Sequence, residues 1–145
     1  MQNLPESFDY PAPQMVDARP DGNKTSPSIL VVEDEVLIRM IVSETLADAG
    51  FRVSEASNAK AALQALSTDE FRAVVLDVGL PDANGEDLIG QIRAIRPGMP
   101  IIVTTGYDTS ALRQKSAADL HLRILTKPYL PDALNAILAE WGIAV

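Results

Sequence analysis

A parallel β-sheet covered by helices on both faces is the fold that this sequence predicts, and two observations predict it. From Ser28 onward, short apolar runs of strand length alternate five times with segments of helical spacing, the pattern of consecutive βα units. Four of these runs also stop at polar residues. Ile29–Val32 stops at Glu33, Asp34 and Glu35, and Val74–Leu76 stops at Asp77. Ile101–Val103 stops at Thr104 and Thr105, and Ile124-Leu125 at Thr126 and Lys127. An acid at the end of a buried strand is costly unless that end opens into a functional crevice. In a parallel sheet the four ends share one edge.

Each element has its own signal. The first run leads to a helix marked by Leu37, Ile38, Ile41, Val42 and Leu46 and stopped at Gly50. Phe51 to Glu55 alternates as a short second strand. Ala59–Leu66 is helical, with Asn58 as its cap. The third strand runs Ala73–Leu76. The helix after Gly85 carries Leu88, Ile89, Ile92 and Ile95 on one face, and Pro97-Gly98 breaks it. A fourth strand begins near Pro100, a weakly patterned helix covers Thr109–Ala118, and a fifth strand spans Leu122–Leu125. Leu134, Ile137, Leu138 and Trp141 form the stripe of the last helix, with Pro131 near its start. Trp141 reads as core or helix-edge packing and His121 as a surface-turn residue.

Composition narrows the function classes. A chain of 145 residues is one domain's worth, and 47% hydrophobic residues supply a core. A net charge of −8 argues against a nucleic-acid surface. Arg93, Arg96 and Arg113 are scattered and lack the aromatic neighbours of such a surface. The absence of cysteine excludes disulfides, thiolate metal sites and a cysteine nucleophile. With no 18-residue apolar run and no secretory signal, the expected location is the cytoplasm, away from membranes. Residues 1–27 hold Pro5, Pro11, Pro13, Pro20 and Pro27 without any period, and read as a flexible N-terminal tail preceding a domain over 28–145. Phe8, Tyr10, Met15 and Val16 are the tail residues able to dock.

The polar strand ends suggest a chemistry. Asp34 alone reads equally well as the cap of the following helix, but a cap does not account for Asp77 at a second strand end. Glu33, Asp34 and Asp77 brought together repel, and a hard divalent cation with oxygen ligands relieves that repulsion. Mg²⁺ fits best, with Mn²⁺ as the alternative, because it keeps waters that an incoming phosphoryl group can replace. A phosphoryl group on Asp77 would bring further negative charge and three acceptor oxygens. Lys127 can meet one and a threonine hydroxyl another. Thr104 and Thr105 compete for that role; Thr105, directly before Gly106, is assigned to it. Pro128 is expected to hold the Lys127 loop rigid, with a cis bond as one way of doing so although most X-Pro bonds are trans.

These residues resemble the receiver domains of two-component response regulators. The resemblance covers residues 28–143 and rests on four motifs in family order: Val32-Glu33-Asp34-Glu35, the segment Asp77 to Gly85, Thr105-Gly106, and Lys127-Pro128. It implies a doubly wound, flavodoxin-like (βα)5 fold with strand order 2-1-3-4-5. It implies metal ligation by Asp34, Asp77 and the backbone carbonyl of Gly79, with Glu33 acting through water. It implies Asp77 as acceptor from phosphohistidine of a histidine kinase or phosphotransfer protein. The output face would be helix 4, strand 5 and helix 5, and the only catalysis self-phosphorylation and self-dephosphorylation.

Thr105-Gly106-Tyr107 looks like the Thr-Gly-Tyr variant of single-domain receivers, although Ile101 and Val103 stand where that subgroup has phenylalanine. The family's switch aromatic is replaced by Ile124, so Thr105, Gly106 and Tyr107 are expected to move together. With residues 144–145 ending the chain, a stand-alone receiver in a phosphorelay is expected. The alternatives are a segment of a hybrid kinase or an unphosphorylated interaction module. A haloacid-dehalogenase-type phosphohydrolase would need a second acid two residues after the nucleophile, where Gly79 stands.

Overall fold

The computed structural model of the chain describes residues 26–106 and 110–145. Residues 1–25 of the expected tail, and Tyr107, lie outside them. The elements are β1 (Ser28–Val32), α1 (Val36–Asp48), β2 (Arg52–Ala56), α2 (Ala59–Thr68) and β3 (Ala73–Asp77), then α3 (Gly85–Ile95), β4 (Ile101–Thr105), α4 (Ser110–Ala118), β5 (Leu122–Thr126) and α5 (Asp132–Glu140). All strand pairs are parallel, in the order β2-β1-β3-β4-β5. This is the doubly wound arrangement implied by the resemblance.

Alternation along the strands sends successive side chains to opposite faces. Leu30, Val32, Val74, Leu76, Ile101 and Val103 pack against α2, α3 and Leu112 of α4. Ile29, Val31, Val53, Val75 and Ile102 pack against α1 and α5. Three of the five strands, β3, β4 and β5, run past their apolar stretches, because the ladder needs only backbone. Asp77 pairs with Thr104 and Thr105 with Thr126, and the Lys127 amide donates to the Thr105 carbonyl at 2.7 Å. The polar residues therefore enter the site from the ends of ordered strands.

The α1 stripe differs from expectation. Val42 and Leu46 are buried and Ile38 is half-buried, but Leu37 and Ile41 are 72% and 57% exposed. With Val36 and Met40 they form a second apolar strip on the outer side of the helix. The helix is apolar over more of its circumference than the sheet can cover, so periodicity could not select the buried face.

At the start of α3, Gly85 is buried and a β-carbon there would lie 2.5 Å from the Val78 β-carbon. The helix begins hard against the residue that follows Asp77, and only a glycine fits. Asn84 caps it, accepting from the amides of Glu86 and Asp87. Gly85→Ala should destabilise the protein by about 1–3 kcal/mol through overpacking, measured by urea unfolding. An unchanged midpoint would mean that α3 can shift away from Val78 freely.

Candidate functional site

The C-terminal edge of the sheet gathers the polar strand ends. Glu33 and Asp77 are buried, at 3% and 7% exposure. Carboxylate oxygens of Glu33, Asp34 and Asp77 all lie within 4.8 Å of one another. Lys127 Nζ reaches Asp77 Oδ1 at 3.1 Å and Glu33 Oε1 at 3.5 Å. Burial pushes the Glu33 carboxyl above its ordinary pKa; the Asp77 charge adds to this, and the Glu35 amide and Lys127 only partly offset it. Burial works against the Lys127 ammonium, but its hydrogen bond to Asp77 and the two carboxylate charges outweigh that and lift its pKa.

Asp34 does not serve as a helix cap. The N-cap of α1 is Glu35, whose side chain makes no capping bond. The Glu35 amide instead donates to Glu33 Oε2 at 3.1 Å. Arg39, one turn into α1, donates to the Glu33 carbonyl at 2.9 Å and to Glu55 at 3.0 Å. It fastens the acidic turn to β2, a role that no local spacing announces.

The loop after Asp77 passes over its carboxylate. A β-carbon built at Gly79 would stand 3.4 Å from Asp77 Oδ2 and 4.0 Å from Oδ1. Asp82 ties the same loop to α2, accepting from the amides of Ala59 at 2.9 Å and Lys60 at 3.2 Å. The Ala59 bond, with the other amides, holds the Asp82 carboxyl below its usual range against a smaller effect of burial. Asn58, the expected cap, accepts from Ala61 at 2.8 Å, so two side chains close one helix end. Sequence reading missed the role of Asp82, whose partner lies 23 residues away.

Thr104 stands directly across from Asp77, its hydroxyl donating to the Leu76 carbonyl at 3.5 Å. Thr105 is 2% exposed and bonded through its carbonyl to the Lys127 amide. The Lys127–Pro128 peptide bond is cis. Gly106 is exposed, and apart from its chain neighbours no atom of the described residues lies within 4 Å of the position of a β-carbon. Ile124 is half-buried against the α2–α4 side of the core. Tyr107, given a modulating role above, lies outside the described residues. Beside Lys127, an apolar groove of about 350 Å³ is lined by Ile38, Ile41, Thr45, Pro128, Tyr129 and Pro131 among others. Burial in this region raises the Tyr129 hydroxyl's pKa, and the nearby carboxylates add to it while Lys127 opposes it.

The donor set fits a hard divalent cation. Three carboxylates share one ammonium, so negative charge is left over. All the side-chain donors are oxygens, with no thiolate or imidazole among them. Asp77 Oδ1 is engaged by Lys127.

A family model described as the response regulator receiver domain matches residues 29–139. The chain belongs to that family. A receiver domain protein of Methanospirillum hungatei, described as CheY-like, superimposes with a TM-score of 0.74 at 27% identity, covering 81% of this chain and 94% of the other. The probable transcriptional regulatory protein SilR of Salmonella typhimurium is 38% identical over 87 residues, covering 60% of this chain and 38% of its own length. This receiver thus spans well under two thirds of that regulator. An uncharacterised 14.6 kDa protein of Leptolyngbya boryana is 34% identical over 118 residues, 80% of this chain and 90% of that one. No helix among the described residues is long and apolar enough to cross a membrane.

Adding Mg²⁺ should raise the melting temperature of this receiver, by relieving the repulsion among its acids. Asp34→Ala should abolish the rise, as read by differential scanning fluorimetry. An identical rise in both proteins would place the ion elsewhere.

Proposed function

We propose that this receiver accepts a phosphoryl group on Asp77 from a phosphohistidine of a histidine kinase or phosphotransfer protein, and passes the signal on by protein contact. The observation that carries the reading is the Lys127 ammonium set between Asp77 and Glu33, with Asp34 completing the acidic cluster. An Asp77 carboxylate oxygen attacks phosphorus, a P–O bond forms, the P–N bond breaks, and the imidazole leaves as it takes a proton from solvent. Asp34, Asp77 and the Gly79 carbonyl would hold Mg²⁺, with Glu33 reaching it through water. When bound, the ion neutralises charge on the transferring group.

The remaining work falls to the chain itself. Lys127 stands 3.1 Å from the acceptor and can follow the transferred oxygens as a point charge. Thr105 is assigned the second oxygen, and its carbonyl accepts from the Lys127 amide, which ties the two strand ends together. Gly79 sets no side chain over Asp77, which leaves the approach to phosphorus open. Gly106, Tyr107, Ile124 and Pro128 are assigned to tuning, with residues 105–107 carrying the change that Ile124 cannot make by swinging a ring. Asp77→Asn should take no phosphate from a small phosphodonor or a kinase, assayed by radiolabelling. Label retained on that variant would move the acceptor.

Partner contact has support on two sides. Val36, Leu37, Met40 and Ile41 expose an apolar strip on the helix that begins at the acidic turn, and a groove continues it to Tyr129. A helical protein carrying the phosphohistidine suits this face. Arg123, Ile124 and Leu125 of β5 are half-exposed between α4 and α5, where the downstream target is placed. The unit is read as able to act alone, which the 14.6 kDa relative supports through a match over 90% of its length. It is read as cytoplasmic. Leu37→Glu with Ile41→Glu should slow transfer from a protein donor several-fold while leaving labelling by acetyl phosphate unchanged. Equal loss with both donors would refute docking at α1.

A further inference from the structure

At the opposite pole from the acidic site, the N-terminal ends of β3, β4 and β5 border a groove of about 510 Å³. Its apolar lining includes Phe71, Met99, Leu120, Trp141 and Ile143. Leu120 is 87% exposed and Trp141 is half-buried, an unusual outlay of apolar surface for a loop cluster. Arg72 and Arg96 stand in the same wall. Among the described residues neither meets a carboxylate: Arg96 donates to the Asp69 carbonyl at 3.3 Å, and only the Arg72 amide has a bond, to the Ser28 carbonyl. In a chain of net charge −8, this is a cationic, aromatic-lined groove without an acidic partner.

The chain supplies a matching segment. Phe8-Asp9-Tyr10-Pro11-Ala12-Pro13-Gln14-Met15-Val16-Asp17 sets two aromatics, a Pro-x-Pro pair, Met15 and Val16 between two acids. Residues 1–25 carry Glu6, Asp9, Asp17 and Asp21 against Arg19 and Lys24. The attachment point is on the same pole. Ser26 accepts from the Arg52 side chain at 3.1 Å and Pro27 from the Arg52 amide at 2.9 Å, just before β1. In the strand order, β5 lies three places from β1, roughly 14 Å at the usual strand spacing. The eight residues between Asp17 and Ser26 span about 30 Å when extended. Proline-rich segments enter aromatic-lined grooves at low entropic cost. The carboxylate cluster at the other edge would repel these acids.

We infer that residues 8–17 of this chain seat in the groove beneath β3, β4 and β5, with the Pro-x-Pro pair against Trp141 and the flanking acids on Arg72 and Arg96. The pole would then be closed by the chain's own N-terminal segment, independently of whether Asp77 is phosphorylated.

The full chain permits a clean test because it contains no cysteine. Ala12→Cys carrying a nitroxide should broaden the amide resonances of residues 71–72, 96, 98–99 and 120–121 selectively, and leave the acidic edge sharp. Arg72→Glu with Arg96→Glu should abolish that broadening, and adding Asp9→Arg with Asp17→Arg should restore it. A spin-labelled, unenriched chain mixed with a label-free ¹⁵N chain should cause no broadening. Broadening in that mixture would assign the groove to a second copy and overturn the proposal. Uniform weak broadening, or broadening centred on α1, would overturn it as well.

Discussion

One charge balance shapes this molecule: Lys127 between the carboxylates of Asp77 and Glu33. Two like charges about 4 Å apart repel by on the order of 4 kcal/mol at an effective dielectric of about 20, and Asp34 adds a third acid. A single ammonium brings the edge together but leaves negative charge to spare. That surplus suits a site that takes up a cation, and the Glu33 carboxyl, pushed up chiefly by its burial, is raised further by the Asp77 charge. The lysine has to arrive from the far end of the chain, so strand order matters. With β1, β3, β4 and β5 adjacent in the sheet, residues 33, 77, 105 and 127 come to one edge without any long loop.

Around this balance the backbone is fixed at several points, most of them away from the charges. Arg39 holds the acidic turn, Asp82 anchors the loop over Asp77, and the Thr105 carbonyl holds the Lys127 amide. Each contact joins segments whose relative motion would misplace a carboxylate or the ammonium. The apolar strip of α1 begins beside the same turn. A partner seated there would touch the element that positions Glu33 and Asp34.

Much of the fold and most of the candidate site were legible in the sequence because both depend on short-range pattern. Five alternations of strand and helix signals marked the five units, and the family resemblance carried by the four motifs implied their spatial order. What stayed hidden depended on partners distant in sequence. Asp82 caps a helix 23 residues earlier, and the exposure of Leu37 and Ile41 follows from how much of α1 the sheet and α5 can cover. Leu37 carries the same apolar signal as Leu46, yet one is 72% exposed and the other fully buried. Strand ends were drawn short for a related reason: the ladder continues through Asp77 and Thr105 irrespective of side-chain polarity.

The contact between Gly85 and Val78 reaches beyond local packing. It clamps the loop carrying Gly79 at its far end, while Asp77 holds the near end and Asp82 the middle. A loop pinned at three places has no slack, so its length is part of the site. Insertions there would move Gly79 away from the Asp77 carboxylate. Between β4 and β5 the ties described lie at the far end, where Ser116 Oγ donates to the Leu122 carbonyl at 3.0 Å and Arg93 donates to Asp119 at 2.9 Å, and among the described residues of α4 Leu112 alone is buried. Sequence variation is therefore best accommodated on the exposed side of α4, and a lineage diversifying its partners could change that side while leaving the loop after Asp77 untouched.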